Sequence, residues 1–127
     1  MTVLQRLLLL ALAGGVGAMA RYGLSGLVQR YSGTTFPWGT LAVNILGCFV
    51  FGVIWAVATE RMAMSPEVRT IILVGFLGSF TTFATFMSES YRLLADAQWL
   101  PALGNILITN LTGLGVFILG LAVGRVV

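Results

Sequence analysis

Polar side chains that could handle a small ion recur at helical spacing inside runs that are otherwise apolar. In "PWGTLAVNILG", Thr40 and Asn44 stand four residues apart, on one face of a helix. In "NILITNLTG", Asn105, Thr109 and Thr112 follow the spacing i, i+4, i+7, with Asn110 off to one side. Residues 75–86, "GFLGSFTTFATF", bring together Gly75 and Gly78, the hydroxyls of Ser79, Thr81, Thr82 and Thr85, and the rings of Phe76, Phe80, Phe83 and Phe86. Amides and hydroxyls are neutral donors, and a phenylalanine ring has an electropositive edge. Together they suit weak binding of a small anion. Bond-making chemistry has little to work with: there is no histidine, no nucleotide-binding loop and no pair of catalytic carboxylates, and Cys48 is the only cysteine. A His/Cys metal cluster and an intrachain disulfide are excluded, and Cys48 reads as a small packing residue.

The elements that must position these groups are membrane helices. Of the 127 residues, 58% are hydrophobic and 9% charged, against about 25% charged in a soluble domain. Residues 31–59, 70–88 and 97–124 carry no charge; residues 7–20 form a fourth such run, followed by Arg21 and an apolar stretch to Val28. The expectation is an all-α integral membrane protein of a single domain, residues 1–127, with four spans at roughly 4–28, 37–59, 70–90 and 100–125. Arg6, "LLLLALAGG" and Ala18-Met19-Ala20 imitate a secretory leader; they are read instead as part of the first span. Glycines at Gly14-Gly15-Val16-Gly17, at Gly47 and Gly52, and at Gly113 and Gly115 predict close helix packing. Four short spans enclose little interior, so an oligomer is expected, with any pathway near or between subunits.

Four spans place Arg6, Arg61, Arg69 and Arg125 on one side, with Arg30 and Arg92 on the other, joined by Arg21 if it reaches that interface. This near balance gives a weak positive-inside signal. Two readings stay open: a modest preference for an inside N-terminus, or insertion both ways with opposed copies pairing as an antiparallel dimer. Asn44 likewise has two readings, an interhelical hydrogen bond or the lining of a wet path. At Gly75 and Gly78 the third span either unwinds, which is tolerated only against protein or a cavity, or stays helical with Ser and Thr bonded back to their own carbonyls. Phe76 and Phe80 are expected to be packing residues.

"GGVGAMARY", "PWGTLAVNILG" and "GFLGSFTTFATFMSE" resemble, in order and spacing, the small bacterial fluoride channels (the Fluc, or CrcB, family), and the resemblance covers essentially the whole chain. It implies a passive, fluoride-selective channel that exports fluoride and confers resistance, in the bacterial inner (plasma) membrane. It also implies an antiparallel dual-topology homodimer with two pores, a break in the third helix and a central structural sodium ion. Fluoride, the bilayer and a second copy are the implied partners, and nucleic acid is not among them. By position, Asn44 would be the amide that donates to fluoride, with Phe83 and Phe86 the pore phenylalanines. Thr40, Thr82, Thr85, Asn110 and Thr112 would belong to the polar lining. Gly78 and Thr81 would offer carbonyls to sodium. Arg21 and Glu89 match family positions of less defined role. The chain departs from the pattern at Ala84, Leu114 and Gly78-Ser79, where the family commonly has serine, serine and a double glycine.

Two other functions share this architecture. A proton-coupled small multidrug-type exporter has four spans of similar size, but typically needs a glutamate in its first span, and this one has none. A subunit of a heteromeric channel would need a distinct partner, whereas Asn44, Phe83 and Phe86 make a complete set.

Overall fold

The computed structural model describes residues 1–127, and every regular element is helical. Helix α1 (Val3–Ser32) opens with a reciprocal cap, in which the Thr2 hydroxyl accepts from the Gln5 N–H while the Gln5 side chain accepts from the Thr2 N–H. It stops at Gly33, whose φ of 62° suits a residue without Cβ. Pro37 then precedes α2 (Trp38–Trp55), which runs on through a π-wound turn, Ala56–Glu60. Ser65 caps α3 (Pro66–Thr70), and the helix continues as a π-wound segment, Ile71–Leu77, and a last turn, α4 (Gly78–Phe80). Thr81 and Thr82 are extended. Helix α5 (Phe83–Ala95) then resumes the crossing, and α6 (Trp99–Val126) closes the chain.

Four helical stretches are long and apolar enough to cross a membrane: Val3–Ser32, Trp38–Glu60, Pro66–Ala95 and Trp99–Val126. The third exceeds its expected extent at both ends, because the Ser65 cap and Pro66 start a turn that carries Glu67 and Arg69. Those charges mark the edge of the apolar run, not the edge of the helix.

Backbone contact at glycines holds the spans together. A Cβ at Gly52 would meet the Phe117 carbonyl, and one at Gly120 would meet the Phe49 carbonyl, so α2 and α6 touch main chain to main chain. Gly17 lies over the Phe76 carbonyl, and Gly75 packs on Leu10 and Ala13, seating α1 on the π-wound segment. Within the single chain nothing packs on Gly15 or Gly115. The apolar core is small, with Val43, Leu73, Leu77 and Phe80 at its centre. Phe76 packs against that cluster and stacks on Phe80, with ring centroids 6.0 Å apart. At one end of the bundle, Arg125 forks onto Glu60 and Arg6 lies 3.7 Å from Glu67.

Candidate functional site

The interruption at Thr81–Thr82 is the centre of the site, and three side chains account for its hydrogen bonds. The Thr82 N–H, which would continue the helical ladder onto Gly78, donates to Asn44 Oδ1 at 2.8 Å instead. Asn44 Nδ2 donates to the Thr82 carbonyl at 3.1 Å. Asn44 therefore acts as a surrogate peptide group, joining α2 to the break through both polar atoms of its amide. One amide hydrogen is used; the other remains for whatever enters the cleft that Asn44 lines. Arg21 donates from Nε to the Ser79 carbonyl at 3.0 Å, and the Thr81 hydroxyl donates back to Leu77. An extended pair at membrane depth is thus supported by protein on several sides, as such backbone must be. The amide ties α2 to the third span, as the hydrogen-bond reading of Asn44 expected, and it also faces a cleft.

That cavity is a cleft of about 540 Å³ between α2, the break, α5 and α6. Asn44, Thr82, Phe83, Phe86 and Asn110 all line it, and Cys48, one turn on from Asn44, and Phe117, two turns on from Asn110, continue it. Phe83 and Phe86 meet edge to face, with centroids 6.0 Å apart and planes at 62°. Phe86 is buried, whereas Phe83 is 73% exposed and leaves the cleft open on its side. The Thr82 hydroxyl, on the cleft wall, bonds to Thr85 Oγ1 at 3.0 Å. Asn110 donates one amide hydrogen to Ile106, one turn back, and retains the other.

Three expected lining residues lie outside this cleft: Thr85, which meets it only through its bond from Thr82, and Thr112 and Thr40. Thr112 donates to the Ile108 carbonyl of its own helix and does not line this cleft. It sits about 100° round α6 from Gly113, the residue that faces Cys48. Thr40 lies in a second, strongly polar cleft of about 490 Å³, together with Glu89, Gln29, Arg92, Asp96 and Gln98. There its hydroxyl donates to Glu89 Oε1 at 2.8 Å, while Glu89 Oε2 is buried without a hydrogen-bond partner in the chain. Gly78 lies in the last turn before the break and Thr81 within it, and their carbonyls stand outside both helical ladders. Thr82 has turned to Asn44 and leaves Gly78 without its donor, and Thr81 precedes the N-cap of α5.

Sequence reasoning set Asn105 in the polar stripe without a specific task. It is 1% exposed, donates to the Ser90 hydroxyl at 2.9 Å and so joins α5 to α6. Thr109 lines the main cleft, as its place in the stripe allowed. Gln29 was missed, since a glutamine in the last turn of a helix carries no pattern of its own.

Residues 8–121 match the family model described as CrcB-like protein, Camphor Resistance (CrcB). The chain is 48% identical over 125 residues to the fluoride-specific ion channel FluC of Solidesulfovibrio magneticus, covering 98% of this chain and 100% of that protein. It is 48% identical over 123 residues to the FluC of Nitrosococcus oceani, covering 97% of this chain and 98% of the relative. To the FluC of Desulforapulum autotrophicum it is 43% identical over 123 residues, with the same coverage.

Proposed function

The chain belongs to the CrcB-like family of multi-pass bacterial membrane channels, and from that footing we propose that it is a passive, fluoride-selective channel. The observation that carries the reading is the meeting of Asn44, Phe83, Phe86 and Asn110 in one cleft across a broken helix. Fluoride is small and strongly hydrated, so several donors must replace its water at once. Asn44 and Asn110 each hold an uncommitted amide hydrogen, and the two rings present electropositive edges. Neutral donors bind an anion without holding it, which conduction requires. Flow is outward from the cytoplasm across the plasma membrane, down the electrochemical gradient. It relieves the accumulation that follows when hydrogen fluoride enters uncharged and dissociates inside.

A second copy completes this arrangement in our reading. Phe83 at 73% exposure, Leu114 at 62% and the exposed amide of Asn110 sit beside one another at the open side of the cleft. An exposed amide in a membrane span favours a protein neighbour over lipid. The weak arginine bias suits copies of opposite orientation, giving an antiparallel homodimer with two pores.

The break also suits sodium. The carbonyls of Gly78 and Thr81, outside both ladders, are hard neutral oxygens of the kind that unwound membrane helices offer to sodium. One chain supplies too few of them, and a second copy at the dimer centre doubles the set. The ion would add a fixed positive charge and a tie between the two breaks.

The reading is tested by fluoride and chloride efflux from liposomes carrying the purified protein, with a potassium ionophore present. Selective fluoride loss supports it, and fluoride retention by folded protein counts against it.

A further inference from the structure

Gln29 uses its whole side-chain amide to organise the start of α2. Its Nε2 donates to the carbonyls of Thr34 and Phe36, at 2.9 and 3.0 Å, and its Oε1 accepts the Gly39 N–H at 3.1 Å. The first N–H groups of a helix have no partner within it. Pro37, at the N-cap of α2, provides no side-chain cap, so Gln29 of α1 serves as one from a distance. One turn before Gln29, the Ser25 carbonyl lies where a Cβ on Gly39 would sit, so the two backbones meet at this point. The residue after Gly39 is Thr40, 7% exposed, whose hydroxyl donates to Glu89 Oε1. Gln29, Thr40 and Glu89 line the same polar cleft.

We propose that Gln29 is a positioning residue. By capping α2 across the helix boundary and fixing loop 33–37, it holds Thr40 against Glu89 and sets the shape of the polar cleft. Gln29 acts through Thr40 and need not touch the ion. Two donors and one acceptor on a short flexible stem are all engaged, so no other residue type of similar size reproduces the set. Methionine matches the length without the bonds. Glutamate keeps an acceptor for Gly39 but presents charge to two carbonyls.

The test has two arms, and only the second rests on the channel reading. In the first, T40C is introduced in a C48S background and its rate of modification by a water-soluble maleimide is measured in liposomes. With Gln29 present, position 40 stays buried and reacts slowly. Q29M should raise the rate at least about tenfold, the scale of losing a well-placed hydrogen-bond set. Q29E should raise it less, since one bond survives, and it carries this arm if Q29M fails to fold. A rate within twofold of that with Gln29 intact overturns the proposal, whatever happens to flux. The second arm takes the polar cleft, which Thr40 lines one turn along α2 from Asn44, as an entrance to the pathway, and there Q29M should slow fluoride efflux by about three- to tenfold. In a T40V background the same change should cost less than twofold, because its route to the pathway is already cut. Effects that multiply in full would assign Gln29 a general structural role and overturn the proposal. A wild-type protein that passes no fluoride would count against the channel reading alone, and the modification rates would still decide the role of Gln29.

Discussion

The side chain of Asn44 pairs with the main chain of Thr82 through two hydrogen bonds, accepting from the Thr82 N–H at 2.8 Å and donating to its carbonyl at 3.1 Å. A residue on α2 thereby stands in for the peptide group that the third span lacks at its break. In the proposed pathway, structural support and ion contact fall to one amide, so its substitutions should separate by chemistry.

Asn44→Asp removes both amide hydrogens, places a charge beside the Thr82 carbonyl and puts an acceptor where the anion needs a donor. Fluoride efflux should fall by at least about a hundredfold, the scale of losing a hydrogen bond to a charged group and gaining a repulsion. Asn44→Ala additionally orphans the Thr82 N–H, at a cost of about 1–3 kcal/mol, readable as a lower melting temperature in detergent. Normal efflux from the Asp variant would dismiss Asn44 from the pathway.

Phe83 and Phe86 should respond differently. Phe83→Ile removes a ring edge from the cleft, but the residue is 73% exposed and supports little of the single chain. Efflux should drop by tenfold or more, about the scale of one or two weak ring-edge contacts, while the variant elutes and melts like the parent. Phe86→Ile alters a buried side chain and should lower the melting temperature as well. Normal flux through both variants would leave the rings as packing.

The Asn105–Ser90 bond should register in stability. Asn105 is almost fully buried, and its amide donates to the Ser90 hydroxyl. Ser90→Ala leaves that donor without a partner and should cost about 1–3 kcal/mol, seen as earlier thermal unfolding. An unchanged melting temperature would show that Asn105 finds another acceptor.

Gly120 tests the contact between α2 and α6. A Cβ there would strike the Phe49 carbonyl, and the obstacle is main chain on both sides, with no flexible side chain to yield. Gly120→Val should destabilise the fold by about 1–3 kcal/mol, whereas Gly115→Val, facing open space, should be close to silent. Equal effects at the two positions would contradict the packing described for α6.

The four crossings were legible because uncharged runs of membrane length have few other uses, but their ends were not. Ser65 and Pro66 start the third helix four residues before the expected limit, where capping replaces hydropathy as the controlling factor. The break at Thr81–Thr82 was not decidable from Gly75 and Gly78, since two glycines weaken a helix without specifying where it opens. The place depends on Asn44 and Arg21, 38 and 58 residues away in the chain. The polar stripe on α6 was visible as a pattern, yet its members divide: Asn105 bonds to α5, Thr109 lines the cleft and Thr112 turns back to its own helix. Helical spacing says which residues share a face. The glycine contacts of α6 decide where that face points.

The central claim, a selective fluoride pathway along Asn44, Phe83 and Phe86, is tested most directly by paired fluoride and chloride efflux from proteoliposomes. Ion-selective electrodes read both ions, a potassium ionophore releases the voltage limit, and no proton gradient is imposed. The predicted result is rapid fluoride loss with chloride retained, abolished by Asn44→Asp. Fluoride retained by folded wild-type protein, or flux that appears only with a proton gradient, would contradict it.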